Sequence, residues 1–221
     1  MTDTKSSRET KHEALLIIDL QNDFCPGGSL AVSEGDMIIP VVNEVAAKFG
    51  IVVATKDWHP QAHVSFASRH GKEPFDSIEL EYGKQVLWPD HCIQGEAGAS
   101  FHPELDQRPL TMVLHKGTSR ELDSYSAFLE NDHATPTGLD GYLRTHGITR
   151  VFICGLATDV CVKFSALDAV QYGLETYLIE DACRGVNVPE GSVDSALHEM
   201  TEAGVRCIGS SELRHRSRGS Y

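Results

Sequence analysis

The chain has 221 residues, of which 41% are hydrophobic and 23% charged, and these proportions exclude a disordered or low-complexity protein. Lysine and arginine number 19 against 32 acidic residues, and the resulting net charge of −13 argues against nucleic-acid or membrane partners. Six cysteines are too few for a disulfide scaffold, and no two stand three apart. The polar start has no apolar signal segment, so the sequence predicts a cytoplasmic protein.

Short apolar segments alternate with segments of helical spacing along most of the chain. In chain order the sequence predicts strand 14–20, helix 38–49, strand 51–55, strand 111–115, helix 139–146, strand 151–155, helix 162–170, strand 176–180, helix 189–203 and strand 205–209. This alternation predicts a mostly parallel sheet with helices on both faces. We expect a single domain over residues 1–221, with flexible ends at 1–13 and 212–221. The stretch 57–110 lacks periodicity, which is typical of a functional connection.

Reactive side chains follow several of the predicted strands. Asp19 lies at the end of the first, Lys116 follows the strand 111–115, and Cys161 follows the strand 151–155. Ligands of open parallel sheets bind at the carboxyl ends of the strands. A thiol at a helix start is expected to have a lowered pKa. Cys161 could equally be a small core residue, and Asp19 and Lys116 an ion pair, but together they supply a nucleophile, a proton acceptor and a positive charge.

A second group of candidate residues has the composition of a metal site. Asp57 and His59 follow the strand 51–55, and His91 can reach them from the long connection. One carboxylate and two imidazoles leave coordination positions open for a substrate. Most histidines are not ligands, however, and the chain contains 11 of them. We interpret His63 and His102 as structural residues or as supports for the ligands.

Several motifs of other enzyme classes are missing. No two glycines stand two positions apart, so the dinucleotide fingerprint G-x-G-x-x-G is absent. The phosphate-binding motif G-x-x-x-x-G-K-[ST] and the nucleophile elbow G-x-S-x-G are absent as well. A nucleotide-binding domain and a serine hydrolase therefore lose their main support.

Five segments together resemble the nicotinamidase group of the isochorismatase-like cysteine hydrolase superfamily. They are spread over most of the chain from about residue 14 to 209 and read IIDLQNDFCPGGSLAV (17–32), TKDWHPQAHVSFAS (55–68), LWPDHCIQGEAGASFHPEL (87–105), HKGTSRELDSYSAF (115–128) and GLATDVCV (155–162). The resemblance implies a three-layer α/β/α fold around a six-stranded, mostly parallel sheet, the isochorismatase-like hydrolase fold.

The resemblance also implies a role for each matching residue. Cys161 is similar to the family's nucleophile, Asp19 to its general base and acid, and Lys116 to the third member of the catalytic triad. The resemblance implies a cis bond between Leu156 and Ala157, after which the N–H groups of Ala157 and Cys161 form an oxyanion hole. It implies that the substrate is bound by Phe24, Trp88, Ala157 and Tyr125. It implies that the metal ligands are Asp57, His59 and His91.

The implied reaction is hydrolysis of the linear amide of nicotinamide to nicotinate and ammonia, a step of NAD salvage, through a thioester on Cys161. One divalent ion, zinc with iron or manganese as alternatives, would orient the pyridine ring. Another hydrolase of the superfamily, and a hydrolase that uses metal-bound water while Cys161 is structural, remain as alternatives. Nicotinamide is the expected partner, nucleic acid and membrane are not, and a homo-oligomer is left open.

Overall fold

The computed structural model describes residues 12–213, and its strands and helices occur in the predicted order. The strands are β1 (Glu13–Ile18), β2 (Ile51–Asp57), β3 (Ser77–Leu80), β4 (Gly83–Val86), β5 (Met112–Lys116), β6 (Arg150–Leu156), β7 (Glu175–Arg184) and β8 (Arg206–Ile208). The helices are α1 (Ile39–Ala46), α2 (Ala67–His70), α3 (Leu139–Thr145), α4 (Lys163–Gln171) and α5 (Ser192–Glu202).

Six of these strands form one sheet in the order β5-β2-β1-β6-β7-β8, and every neighbouring pair is parallel. Helices flank the sheet, so its central strands are covered on both faces. Every residue of β1 is buried, and this explains why residues 14–18 after Glu13 form a continuous apolar run without alternation. The predicted three-layer α/β/α fold is confirmed. None of the helices in residues 12–213 combines the length and apolar character that crossing a membrane requires.

The connection 57–110 contains structure that the sequence analysis did not predict. Strands β3 and β4 pair there as an antiparallel hairpin, and the short helix α2 precedes them. All but one of the hairpin residues are exposed or half-buried, so no apolar run marks either strand. A hairpin of this kind is held by its backbone pairing and by few buried side chains, which leaves little hydrophobic signal in the sequence.

The ends of the chain are only partly described. Residues 1–11 and 214–221, within the segments for which the sequence predicts flexibility, lie outside the described residues. Of the neighbouring residues, Glu13 begins β1 and is 3% exposed, and Leu213 is 2% exposed. Glu13 and Leu213, which the prediction placed just inside the flexible segments, therefore belong to the folded domain.

Candidate active site

Three reactive side chains meet at the carboxyl edge of the sheet. Asp19 directly follows β1, Lys116 ends β5, and Cys161 lies in a π-helical turn, Thr158–Val162, between β6 and α4. The Lys116 Nζ atom lies 2.9 Å from Asp19 Oδ2 and 3.5 Å from Cys161 Sγ. All three side chains are buried. Because parallel strands end at one edge, Asp19 and Cys161, which are 142 positions apart in the sequence, come together here.

Asp19 is held by the neighbouring strand. Its backbone is left-handed, with φ of 48°, which turns the chain sharply at the end of β1. The Thr55 hydroxyl of β2 donates a hydrogen bond of 2.6 Å to Asp19 Oδ1 and accepts the Asp19 N–H at 3.2 Å. Burial raises the pKa of the Asp19 carboxyl, and the charge of Lys116 opposes that shift. A carboxyl of this kind is suited to exchanging a proton with the thiol beside it.

Lys116 is fully buried and surrounded by acceptors. Its ammonium contacts the carboxylates of Asp19 and Asp57 and donates to the Ser124 carbonyl at 3.0 Å. Burial by itself lowers a lysine pKa, but the two carboxylates raise the pKa of Lys116 well above its usual value. The residue is therefore a permanent positive charge within 3.5 Å of the thiol.

The environment of Cys161 differs from the sequence prediction. The position at a helix start predicted a lowered pKa for the thiol, but Cys161 is only 6% exposed. Burial raises the pKa of the Cys161 thiol well above its usual value, against the lowering effect of Lys116. The prediction of a lowered pKa is thus wrong. The thiol needs a base to remove its proton, and Asp19 is in contact with it.

Asp57, His59 and His91 form the second group, as the sequence suggested. Asp57 ends β2, and its Oδ2 atom lies 3.5 Å from His59 Nε2 and 3.6 Å from His91 Nε2. The connection that carries His91 is brought in by backbone pairing, in which the His59 N–H donates to the Cys92 carbonyl at 3.0 Å. The other carboxylate oxygen of Asp57 contacts Lys116, so Asp57 joins the two groups.

The donor set fits a divalent metal ion. The Nδ1 atom of His59 bonds the Gly117 carbonyl at 2.9 Å, and the Nδ1 atom of His91 bonds the Pro89 carbonyl at 2.7 Å. Each bond places the ring proton on Nδ1 and leaves the Nε2 lone pair facing Asp57. Burial raises the pKa of the Asp57 carboxyl, but the charge of Lys116 outweighs it and helps to hold that pKa well below its usual value. Imidazoles bind metal ions in their neutral form, and two of them with one carboxylate are suitable ligands for zinc and related ions.

His63 lies next to this group without completing it. Its ring stacks on His59 with the centroids 4.1 Å apart. Its Nδ1 atom pairs with the Ser65 hydroxyl at 2.7 Å and its Nε2 atom with the Leu122 carbonyl at 3.2 Å. Both ring nitrogens of His63 thus have protein partners, which agrees with its interpretation as a supporting residue.

A cavity lies beside the Cys161 thiol and the two histidines. Among the predicted residues it is lined by Phe24, Trp88, Tyr125, Ala157 and Cys161 together with Asp57, His59 and His91. The bond between Leu156 and Ala157 is cis, as the resemblance implied. The structure adds wall residues that the sequence analysis did not single out: Leu30, Asp123, Val160 and Val186.

Two supporting residues were also missed. Besides Thr55, the buried Gln21 accepts the Asp57 N–H at 2.8 Å and donates to the Asp57 carbonyl at 2.8 Å. Thr55 and Gln21 both lie inside the segments that carry the resemblance. Each stands two positions from Asp57 or Asp19 in the sequence, and this proximity could have identified them as supporting residues. Val186 lies in none of those segments, and only the packing of its loop brings it to the cavity.

Comparison with known proteins covers nearly the whole described chain. The family "Isochorismatase domain" matches residues 13–212. The nicotinamidase of Acinetobacter baylyi is 48% identical over 207 residues, which are 93% of this chain and 96% of that protein. The solved structure of the Acinetobacter baumanii nicotinamidase and pyrazinamidase is 51% identical, with a TM-score of 0.90 over 92% of this chain and 98% of that one. The solved structure of the Pyrococcus horikoshii pyrazinamidase in complex with zinc is 39% identical, with a TM-score of 0.74, and the match covers 90% of this chain and 99% of that one.

Proposed function

The chain belongs to the isochorismatase family, and we propose that it is a nicotinamidase, which hydrolyses nicotinamide to nicotinate and ammonia. The observation that carries this proposal is the placement of two functional groups in one cavity. The thiol of Cys161 lines the same cavity as Asp57, His59 and His91, and Asp57 contacts the ammonium of Lys116 beside that thiol. A flat heteroaromatic amide has the shape and the two polar ends that such a cavity can bind.

In the proposed mechanism the Cys161 thiol is the nucleophile. Asp19 accepts the thiol proton, and the fixed charge of Lys116 stabilises the thiolate that forms. The sulfur attacks the carbon of the amide, and the N–H groups of Ala157 and Cys161 stabilise the negative charge on the amide oxygen. Asp19 then returns the proton to the leaving nitrogen, ammonia departs, and a thioester remains on Cys161.

Water completes the reaction. It attacks the thioester carbon and transfers a proton to Asp19, and the C–S bond breaks to release nicotinate. Asp19 then protonates the Cys161 sulfur, which restores the starting state. The same carboxyl therefore serves as base and as acid, and the raised pKa that burial gives Asp19 suits both steps.

The ring of the substrate is held by the remaining residues of the cavity. Phe24 and Trp88 form aromatic walls against which a pyridine ring can stack, and Tyr125 and Ala157 line the space between them and the thiol. Asp57, His59 and His91 would hold one divalent ion, for which we propose zinc with iron or manganese as alternatives. When bound, the ion supplies an open Lewis-acid position for the pyridine nitrogen.

Assay of the purified protein with nicotinamide tests the proposal. We expect ammonia and nicotinate in equal amounts, and we expect the activity to fall after treatment with a chelator and to return with zinc. Absence of both products from zinc-loaded, folded protein would refute the proposed activity. Retention of activity in Cys161→Ser would instead favour the alternative in which metal-bound water is the nucleophile. Residence in the cytoplasm stays a prediction from the sequence.

A further inference from the structure

One buried polar residue lies in an otherwise exposed part of the fold. Gln85 is the middle of strand β4 and is 1% exposed, while the other residues of the β3–β4 hairpin are exposed or half-buried. A buried amide is costly unless its hydrogen bonds are made. The buried amide of Gln85 therefore needs hydrogen-bond partners within the fold.

The Gln85 amide points toward the cavity wall. Its Nε2 atom carries two N–H groups, which three acceptors share: Asp123 Oδ2 at 2.7 Å, the Val86 carbonyl at 2.8 Å and the Tyr125 hydroxyl at 3.0 Å. Its Oε1 atom accepts from the Tyr82 hydroxyl at 3.2 Å and from Asn131 Nδ2 at 3.4 Å. Asp123 and Tyr125 line the cavity of the candidate active site. The buried side chain of Gln85 thus connects the hairpin to the site.

Tyr125 connects this amide to the aromatic wall. The indole Nε1–H of Trp88 donates to the Tyr125 hydroxyl at 3.2 Å. Tyr125 and Trp88 meet edge to face, at 84° with the ring centroids 6.2 Å apart. The other aromatic neighbour of Trp88 among the described residues, Phe75, also meets it edge to face, with the centroids 5.8 Å apart, but Phe75 is 47% exposed and its ring offers no hydrogen bond. The hydrogen bond to Tyr125 is therefore the polar contact of the indole on the cavity side.

We propose that Gln85 is a positioning residue, which orients the Tyr125 hydroxyl and through it holds the Trp88 indole at the spacing that a pyridine ring needs. The Tyr125 hydroxyl oxygen accepts from the Gln85 amide and from the Trp88 indole. Without the Gln85 amide the hydroxyl can rotate toward Asp123, and the indole loses its fixed acceptor. This inference rests on the proposed function, because it assigns Gln85 to the binding of the same substrate.

The test uses the fact that the chain has two tryptophans, Trp58 and Trp88. Trp58 lies outside the cavity and stacks on His115. Trp58→Phe therefore leaves Trp88 as the single tryptophan, whose emission can be followed by itself. In this background, Gln85→Met removes the amide and keeps the length of the side chain. Loss of one neutral hydrogen bond predicts that KM for nicotinamide rises about five- to tenfold while kcat stays within about twofold. The emission of Trp88 is expected to shift to longer wavelength.

Two further variants keep the test decisive. Tyr125→Phe removes the hydroxyl itself and is expected to shift the Trp88 emission in the same way, should Gln85→Met fail to fold. In the double variant Gln85→Glu with Asp123→Asn, the donor and the acceptor exchange places, and Tyr125 can donate to the new carboxylate. The double variant is expected to return KM and emission close to the Trp58→Phe parent, whereas Gln85→Glu alone places two carboxylates together and raises KM further.

Gln94→Met is the matched control, since the Gln94 amide donates to the Trp58 carbonyl at 2.8 Å and its side chain is exposed. It is expected to leave KM and emission unchanged. A Gln85→Met variant with unchanged KM, or with raised KM and unaltered Trp88 emission, would overturn the positioning role. If the parent does not hydrolyse nicotinamide, the proposed function fails, but the emission of Trp88 still reports whether Gln85 orients the indole.

Discussion

The electrostatics of the Cys161 site are set by burial as much as by its charged neighbours. The thiol, the Asp19 carboxyl and the Lys116 ammonium are all withdrawn from solvent, which disfavours charge on each of them. Lys116 stays charged because Asp19 and Asp57 both contact it, whereas burial raises the pKa values of Asp19 and Cys161. Because burial raises the pKa of the thiol, the proposed mechanism needs Asp19 to take the proton of Cys161.

Replacement of Cys161 separates catalysis from folding. Cys161→Ala is expected to abolish turnover, because no other thiol lines the cavity, and to leave the melting temperature within a few degrees. Cys154→Ala is the control, since Cys154 is fully buried in β6 with its sulfur 3.8 Å from the Leu16 carbonyl. It is expected to cost on the order of 1 kcal/mol of stability through lost packing but to retain activity. Near-normal turnover by Cys161→Ala would contradict the thioester mechanism.

At Gly117 a single missing side chain makes room for a metal ligand. Its φ is +60°, and a Cβ atom there would come within 2.5 Å of His59 Cε1. Gly117→Ala is therefore expected to displace His59, to weaken zinc binding at least about tenfold and to lower activity accordingly. Gly71 also has φ of +60° but nothing within 4 Å of the added Cβ, so Gly71→Ala carries the same backbone cost alone. Equal zinc affinity of the two variants in calorimetry would contradict this role.

At the level of elements, the long connections do more than join strands. The segment after β5 supplies the Ser124 carbonyl to Lys116, and Asp123 and Tyr125 to the cavity. It closes on itself through Asn131, whose N–H donates to the Asp123 carbonyl at 2.8 Å and whose side chain accepts the Tyr125 N–H at 2.9 Å. These internal bonds join Asn131 to the backbone of both residues that this segment contributes to the cavity wall.

Glu130 in the same segment makes stability depend on pH. Burial raises its pKa to about 7 from the usual 4.5, against the lowering effects of Ser124 and Lys116, and its Oε2 atom has no hydrogen-bond partner. The folded state therefore retains this proton where the unfolded chain has lost it. The resulting stabilisation is complete below about pH 4.5 and is lost as the pH rises through about 7.

Glu130→Gln is expected to remove the loss of stability that accompanies the rise in pH. Urea unfolding at pH 5.5 and 8.5 should show that the variant loses less stability between the two values than the parent does. The difference is expected to be on the order of 1 kcal/mol, because the half-buried carboxyl is partly screened by solvent. Glu190→Gln, at an exposed carboxylate, is the control and should unfold with the parent's dependence on pH. Identical curves for Glu130→Gln and the parent would show that Glu130 does not titrate with folding.

For the whole molecule, metal binding and folding are linked, because the three ligands come from β2, the residues just after it and a separate connection. Zinc that binds only the folded state is expected to stabilise it by about 2.7 kcal/mol at a hundred times the dissociation constant. The melting temperature of the metal-free protein should therefore rise when zinc is added. His91→Ala should show little rise, while His102→Ala, away from the cavity, should respond as the parent does. A rise retained in full by His91→Ala would contradict the assigned ligand set.

The sequence by itself determined the elements whose signal is local. Continuous apolar runs marked the six sheet strands, because a strand buried on both faces is apolar throughout. Apolar residues at helical spacing marked the helices of four turns or fewer that flank the sheet, because a helix buried on one face repeats its apolar residues within a few positions. The residues at the strand ends, Asp19, Asp57 and Lys116, could be named in advance for the same reason. A parallel sheet gathers its carboxyl ends at one edge.

Tertiary structure alone decided the remaining features, because they depend on residues far apart in the chain. The hairpin β3–β4 has few buried side chains and so leaves no apolar run, and the role of Gln85 exists only where that hairpin meets Tyr125. The protonation of Cys161 follows from how deeply the thiol is buried, and a position at a helix start does not reveal that depth. Local sequence indicates which groups are present, whereas desolvation and partner geometry, which set their chemistry, arise only from packing.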